Sequence, residues 1–380
     1  MTADGSRLLA IGNFSSVGAQ PRSQVAVLDT SGAAATVAPW STSRFDRAHN
    51  SCAGVFDSFT RDVDLSPDGT YFVVSATGAF AGGAGSGTMC DTTSRWETTS
   101  TGNDPTWSDY TGGDTTYGVA VTGSAVYVGG HMRWQNNPFQ GDQAGPGAVP
   151  REGIAALDPV NGLPLSWNPG RSRGVGAQAL FATPTGLWVG SDTTRIGKET
   201  HARIAFMPLA GGTTVPAVPA AALPTDLFVP QGTVLQRRAV DASGTPAGTA
   251  TTVNTVIDWP TLRGAFLVDG TLYYGLADGG LYSRSFDSGT GVVGAQQTVS
   301  LYDDPDTGQR IPFTVANLTG MFYDTATHRI YYTLAGSSGL FHRYFTPESH
   351  VVGAQQLTAV ADGVSSDGTW RSFSLFVPNG

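Results

Sequence analysis

The chain has 380 residues, a formal net charge of −9 and only 13% charged side chains, with 50 Gly and 22 Pro. Glu (Glu97, Glu152, Glu199, Glu348) and Lys (Lys198 alone) are too scarce to cover exposed helix faces, whereas Gly, Ser, Thr, Asp and Val suit strands joined by tight turns. No run of Lys or Arg is present to neutralise phosphates and no apolar stretch is long enough to insert in a bilayer, so nucleic acid and membranes are not expected partners.

The opening, "MTADGSRLLAIG", has no basic region followed by a long apolar one, so it is not a signal peptide. The expectation is a piece of a longer secreted precursor, extracellular and monomeric. "RLLAIGNFSSVGAQPRSQVAVLDTSG" then sets out a plan: an apolar strand, a glycine, a polar loop, and an Arg or His before a second strand. Cys52 and Cys90 lie in loop-like segments. A metal pair lacks partner spacing, and a disulfide closing a long loop fits a secreted chain better. Asp62–Gly78, "DVDLSPDGTYFVVSATG", reads as a hairpin about the turn Ser66-Pro67-Asp68-Gly69.

The plan recurs between Ala125 and Gly170 ("AVYVGGHMRW … VPREGIAALDPVNGLPLSWNPG") and again from Gly186 ("GLWVGSDTTRIGKETHARIAFMPLAGG"). A second repeat appears late. "LYYGLADGGLYSRSFDSGTGVVGAQQ" from Leu272 matches "IYYTLAGSSGLFHRYFTPESHVVGAQQ" from Ile330, pairing Tyr273 with Tyr331, Tyr274 with Tyr332, Arg284 with Arg343 and Phe286 with Phe345. Units of about 40–60 residues, each a small antiparallel sheet, are the mark of a β-propeller. The expected architecture is all-β: one propeller domain over residues 1–380, with six or seven four-stranded blades. The approximate blades are 1–60, 61–116, 117–176, 177–222, 223–309 and 310–380. A jelly roll or stacked sandwiches would not explain the recurrent spacing.

"LSPDGTYFVV" resembles the SPDG hairpin of bacterial TolB-like and YVTN-like propeller repeats. "AIGNFSSVGAQPRSQVAVLD" resembles secreted bacterial propeller repeats in which GxF, a loop, an Arg and LAxLD recur. "VYVGGHMRWQNNP", "GPGAVPREGIAALDPVNGLPLSWNPGR" and "LWVGSD" together resemble extracellular bacterial propeller proteins that often stand beside PKD or malectin-like modules. The resemblance implies the fold and a secreted setting. It carries no activity.

The candidate binding residues follow the strand that ends at Gly129-Gly130. His131, Arg133, Trp134, Asn136 and Asn137 offer an aromatic platform and hydrogen-bonding groups for a glycan or peptide; the plainer reading makes Trp134 a packing residue and the asparagines turn formers. The polar insert 136–150 is longer than its counterpart near "NFSSVGAQP", and added loop length on a repeat scaffold often binds. Its Asp142, and Asp192 at the equivalent strand end, complete the set. Asp303, Asp304 and Asp306 are the densest carboxylates and the candidates for Ca2+; as solvated Asx turns they would bind nothing. Asp62, Asp64, Asp192 and Asp278 are carboxylates available to a glycoside hydrolase or lyase, but spacing does not pair them. No nucleophile elbow, zinc-protease motif or phosphate loop is present. The readings are therefore a glycan-directed surface module of a larger secreted protein, a carbohydrate-active enzyme, or a structural spacer.

Overall fold

A computed structural model describes residues 1–50, 52, 59–80, 82–99, 104–172, 174–208, 223–254, 256–291, 293–301 and 311–360. Every sheet pairing among them is antiparallel, no α-helix occurs, and the helical turns are short 3-10 pieces at Gly83–Ser86, Trp259–Thr261 and Val315–Asn317. None is long and apolar enough to cross a membrane. The described residues fall into two compact units, 1–208 and 223–301 with 311–360.

The first unit is a succession of meanders. Strands Arg7–Ile11, Val25–Asp29 and Thr36–Val37 form the first sheet. Phe59–Leu65, Tyr71–Thr77, Thr92–Glu97 and Trp107–Tyr110 form the second, Thr116–Val121, Val126–Gly130 and Ile154–Leu157 the third, and Ala177–Thr183, Gly186–Ser191 and Ile204–Pro208 the fourth. The expected hairpin about Ser66–Gly69 is present, with Leu65 opposite Phe72 and the Ser66 hydroxyl 2.6 Å from Asp68 Oδ1. Tyr71–Thr77 is buried at nearly every residue, as strands covered on both faces must be. Its Phe72, Val74 and Ala76 pack with Trp40, Phe45 and Trp96. Cys52 and Cys90 are disulfide-bonded, their Cα atoms 5.8 Å apart.

Neighbouring sheets meet along their first strands: Phe59–Leu65 lies against Thr116–Val121, which lies against Ala177–Thr183. Asp62 and Asp64 stitch the first of these contacts. They accept the backbone N–H groups of Val119 (2.9 Å) and Val121 (2.7 Å) in the next sheet. Burial raises both carboxyl pKa values above the ordinary Asp range. These two carboxylates hold sheets together.

The plan read from the sequence has a shared geometry. Short two-stranded ribbons, Ser16–Val17 with Gln20–Pro21, Trp134–Gln135 with Val149–Pro150, and Arg195–Ile196 with Glu199–Thr200, each sit between two strands of a larger sheet. The residue before the following strand has positive φ in all three: Gln24 (63°), Gly153 (73°) and Arg203 (71°). The arginine of the plan is structural. Arg22 donates to Pro21 O (2.7 Å) and Ala38 O (2.8 Å), and the equivalent Arg151 to Pro150 O (2.7 Å) and Leu165 O. In the third copy His201 takes this place and meets Glu199 Oε2 at 3.1 Å.

The second unit contains Thr225–Gln231, Val234–Val240 and Pro246–Asn254 in one sheet, and Leu262–Val268, Thr271–Leu276, Leu281–Ser285 and Gln297–Thr298 in another. The span 223–309, expected to be one blade, thus holds two sheets, and the described residues hold seven sheets of three or more strands. The last comprises Leu318–Asp324, Arg329–Leu334 and Leu340–Thr346, the third strand pairing with both Val351–Val352 and Leu357–Val360. The late sequence repeat is an internal clamp. The Tyr274 hydroxyl binds Gln296 Oε1 (2.8 Å) and receives Arg284 Nε (2.8 Å). The Tyr332 hydroxyl binds Gln356 Oε1 (2.9 Å), while Arg343 donates to Gly353 O (2.9 Å) and Ala354 O (2.6 Å).

Candidate functional site

Five first strands share one irregularity. A β-bulge leaves an extra residue opposite no partner near the start of Phe59–Leu65 (Arg61), Thr116–Val121 (Tyr117), Ala177–Thr183 (Gln178), Leu262–Val268 (Arg263) and Leu318–Asp324 (Thr319). Bulges re-aim side chains and recur beside functional sites. In the first unit the re-aimed residues reach solvent: Arg61 and Gln178 are exposed, and Tyr117 is the half-buried member of an otherwise buried strand. The ribbons arise at the same sheet end, since Thr116 pairs with Gly130 and Ala177 with Ser191.

Around Tyr117 lies the main polar cluster. Arg61 sits over its ring, 4.9 Å from the centroid, and its hydroxyl is 3.3 Å from His131 Nδ1. His131 Nε2 is 3.8 Å from Asp114 Oδ1. Arg133 grips Asp114 in a fork, Nε to Oδ2 at 2.7 Å and Nη2 to Oδ1 at 3.0 Å, and extends Nη2 to Asp142 Oδ1 at 2.9 Å. These acceptors push the Arg133 pKa above its usual value, the Asp114 hydrogen bond foremost. The same guanidinium lies 4.4 Å from the Trp134 ring centroid, so one face of the indole is already occupied.

Behind the cluster are buried acids. Asp91 accepts from Gly78 N and Thr115 Oγ1, both 3.2 Å; burial pushes its pKa up to about 6. Asp109 receives Asn136 N at 2.7 Å and burial pushes it up to about 8, with Oδ2 unpartnered among the described residues. Thr93 stands directly across the strand from Asp109, its buried hydroxyl also unpartnered there. Both acids lie out of reach of a bound ligand, being 1% and 4% exposed.

The structure brings together His131, Arg133, Trp134 and Asp142 on the solvent side. Asn136 and Asn137 serve the insert itself. Asn136 Nδ2 donates to Gly147 O (2.8 Å), Asn137 Nδ2 to Gln143 O (2.9 Å), and Asn137 Oδ1 accepts Gly145 N (2.9 Å). Asp192 occupies the position equivalent to His131 in the next ribbon sheet and caps Val175 N (2.6 Å) and Gly176 N (3.0 Å), the Gly176 bond leading the fall in its pKa. Asp278 binds Gly280 N and the Tyr282 hydroxyl, far along the chain in the second unit. Asp303, Asp304 and Asp306 lie outside the described residues, among which no three His, Cys, Asp or Glu cluster to hold a metal. Sequence reading missed Arg61, Tyr117 and Asp114. The available signal was a glycine inside a strand start, as in Tyr117-Gly118, Arg263-Gly264 and Thr319-Gly320, which marks a bulge.

No known family profile and no curated protein matches the chain. Among solved structures, a periplasmic gluconolactonase of Pseudomonas aeruginosa aligns over 94% of this chain and 96% of its own, at 12% identity and a TM-score of 0.28. A putative 6-phosphogluconolactonase of Bacteroides fragilis aligns over 99% of both chains at 9% identity and a TM-score of 0.26. The WD40 repeats of RRP9 align over 88% of this chain and 85% of theirs at 10% identity and 0.30. Likeness at these scores carries no assignment of fold or activity.

Proposed function

We propose that the chain is a β-propeller module of a larger secreted bacterial protein, monomeric, and directed at glycans on a surface. The blade reading rests on successive antiparallel meanders with adjoining first strands within each unit and on the repeats in the sequence. The resemblance to SPDG and YVTN-like propellers found beside PKD or malectin-like modules accords with it. The Cys52–Cys90 disulfide supports an oxidising compartment.

The observation that carries the binding reading is the Arg133–Trp134 pair. Two carboxylates hold the guanidinium in place over the indole, beside His131, at a solvent-facing sheet end. With the exposed Asp142 carboxylate and His131 beside it, the pair forms a fixed polar rim that suits a sugar's hydroxyls. Asp62, Asp64 and Asp192 are committed to backbone amides, which favours binding over hydrolysis. A glycan array probed with the soluble chain tests the proposal. Saturable binding that falls at least tenfold in Arg133→Ala is expected. Glycan binding that Arg133→Ala leaves unchanged removes this site, released sugar from a bound polysaccharide converts the reading to an enzyme, and neither binding nor product leaves a structural spacer.

A further inference from the structure

Resting on the glycan-directed reading, we infer that Arg61, Tyr117 and Gln178 form a continuous row that recognises an acidic saccharide through its carboxylate or sulfate. The bulge near the head of these three first strands is the device that builds it.

Three observations support the row. First, the register is shared. The extra residue falls between Thr60 and Asp62, between Thr116 and Gly118, and between Ala177 and Ala179. One distortion at the same place in three consecutive sheets turns out a residue that regular pleating would have buried or paired. Second, the bulges adjoin. The Arg61 guanidinium lies over the Tyr117 ring, and a Cβ placed on Gly118 would stand 3.2 Å from Gln178 O. Third, the chemistry is asymmetric. Arg61 is exposed and has no carboxylate within ion-pair distance among the described residues, although the chain carries nine more acidic than basic side chains. Its neighbour Asp62 is turned to Val119 N. The nearby Asp114 is taken by Arg133, and Asp192 by Val175 N and Gly176 N.

A guanidinium held on an aromatic face offers a flat, bidentate edge, which matches a carboxylate or sulfate better than a hydroxyl. The Gln178 amide lies one sheet further and His131 borders the Tyr117 hydroxyl. A row spanning three adjacent strands suits two or more linked sugars, with the acidic group read by Arg61 and neighbouring hydroxyls by Gln178.

Isothermal titration of a polygalacturonate oligosaccharide, a sulfated glycosaminoglycan oligosaccharide and a neutral cello-oligosaccharide tests this. Variants are Arg61→Ala, Arg61→Lys, Gln178→Ala and Arg133→Ala, each checked for an unchanged circular dichroism spectrum. Affinity for an acidic ligand should fall at least tenfold in Arg61→Ala, recover in part in Arg61→Lys, fall a few-fold in Gln178→Ala, and weaken steeply with added salt. Acidic-ligand affinity that Arg61→Ala leaves intact overturns the row. So does neutral-glycan binding sensitive to Arg133→Ala and indifferent to Arg61, which would leave the broader glycan reading standing. Binding to none of the three ligands, with the glycan array also blank, would bring down both.

Discussion

The two units carry the same bulge and use it in opposite ways. In the first, Arg61 and Gln178 are exposed and Tyr117 is half-buried beneath Arg61. In the second, Arg263 donates to Ala316 O (3.1 Å) and to Thr261 O and Leu262 O (both 3.3 Å), while Thr319 is buried against the Thr333 hydroxyl at 2.8 Å. The distortion is therefore part of the scaffold, and what varies is whether the ejected side chain is consumed by a neighbouring turn. The 3-10 turns Trp259–Thr261 and Val315–Asn317 lie just before the second unit's bulged strands and supply two of those partners, Thr261 O and Ala316 O. In the first unit ribbons occupy the corresponding sheet end beside Tyr117 and Gln178, and Arg61 and Gln178 stay exposed.

The contrast breaks most sharply at the covalent tie that only the first unit has. Closing a loop over a sequence separation of 38 stabilises by about 4 kcal/mol in the chain-entropy account. Cys52→Ser with Cys90→Ser should lower the melting temperature of the first unit's transition in calorimetry and leave the second unit's in place; a common shift would show one cooperative fold. Next is the glycine after the bulge. On Gly264 a Cβ would lie 2.8 Å from the Met321 backbone nitrogen, whereas on Gly118 it meets Gln178 O at 3.2 Å. Gly264→Ala should cost about 3 kcal/mol in denaturant unfolding and Gly118→Ala about 1.

The third test uses Asp109. Its folded pKa lies above its unfolded one, so the folded state holds a proton that the unfolded chain releases. Stability from this group is full below about pH 4 and is lost as pH rises through about 8. Asp109→Asn keeps an acceptor for Asn136 N and abolishes the loss. It should flatten the pH dependence of the melting temperature and leave the variant more stable than the parent at pH 9. The smallest effect sharpens the comparison most: Arg263→Ala should cost about 1 kcal/mol through the lost hydrogen bonds to three carbonyls, and Arg61→Ala less than about 0.5. Equal costs would mean that Arg61 is also structural.

Much of this was legible in the sequence because it is local. The Ser66–Gly69 turn, the alternating strands and the strand–loop–Arg plan are short-range patterns, and each appears in the fold. The role of the plan's arginine was not legible, since Arg22 and Arg151 bind carbonyls at positions 38 and 165 that carry no side-chain signature. The candidate site was half legible. His131, Arg133, Trp134 and Asp142 lie close in sequence, but their partners Asp114, Tyr117 and Arg61 arrive through strand register and sheet contact. The merged 223–309 span reflects the same limit: the sheets Thr225–Asn254 and Leu262–Thr298 share few residues, so repetition did not separate them.

The ribbons have a practical consequence. In two of them the strands close through two residues in the left-handed region, Gly18-Ala19 and Gly197-Lys198, the geometry of a type I′ turn. In the third, residues 136–148 span the same gap, between Gln135 and Val149, which pair just as Val17 pairs with Gln20. The frame thus has a socket that accepts either a minimal plug or a long one without altering the joints on either side. A designer seeking to display a foreign peptide on this protein has two vacant sockets ready, at 18–19 and 197–198.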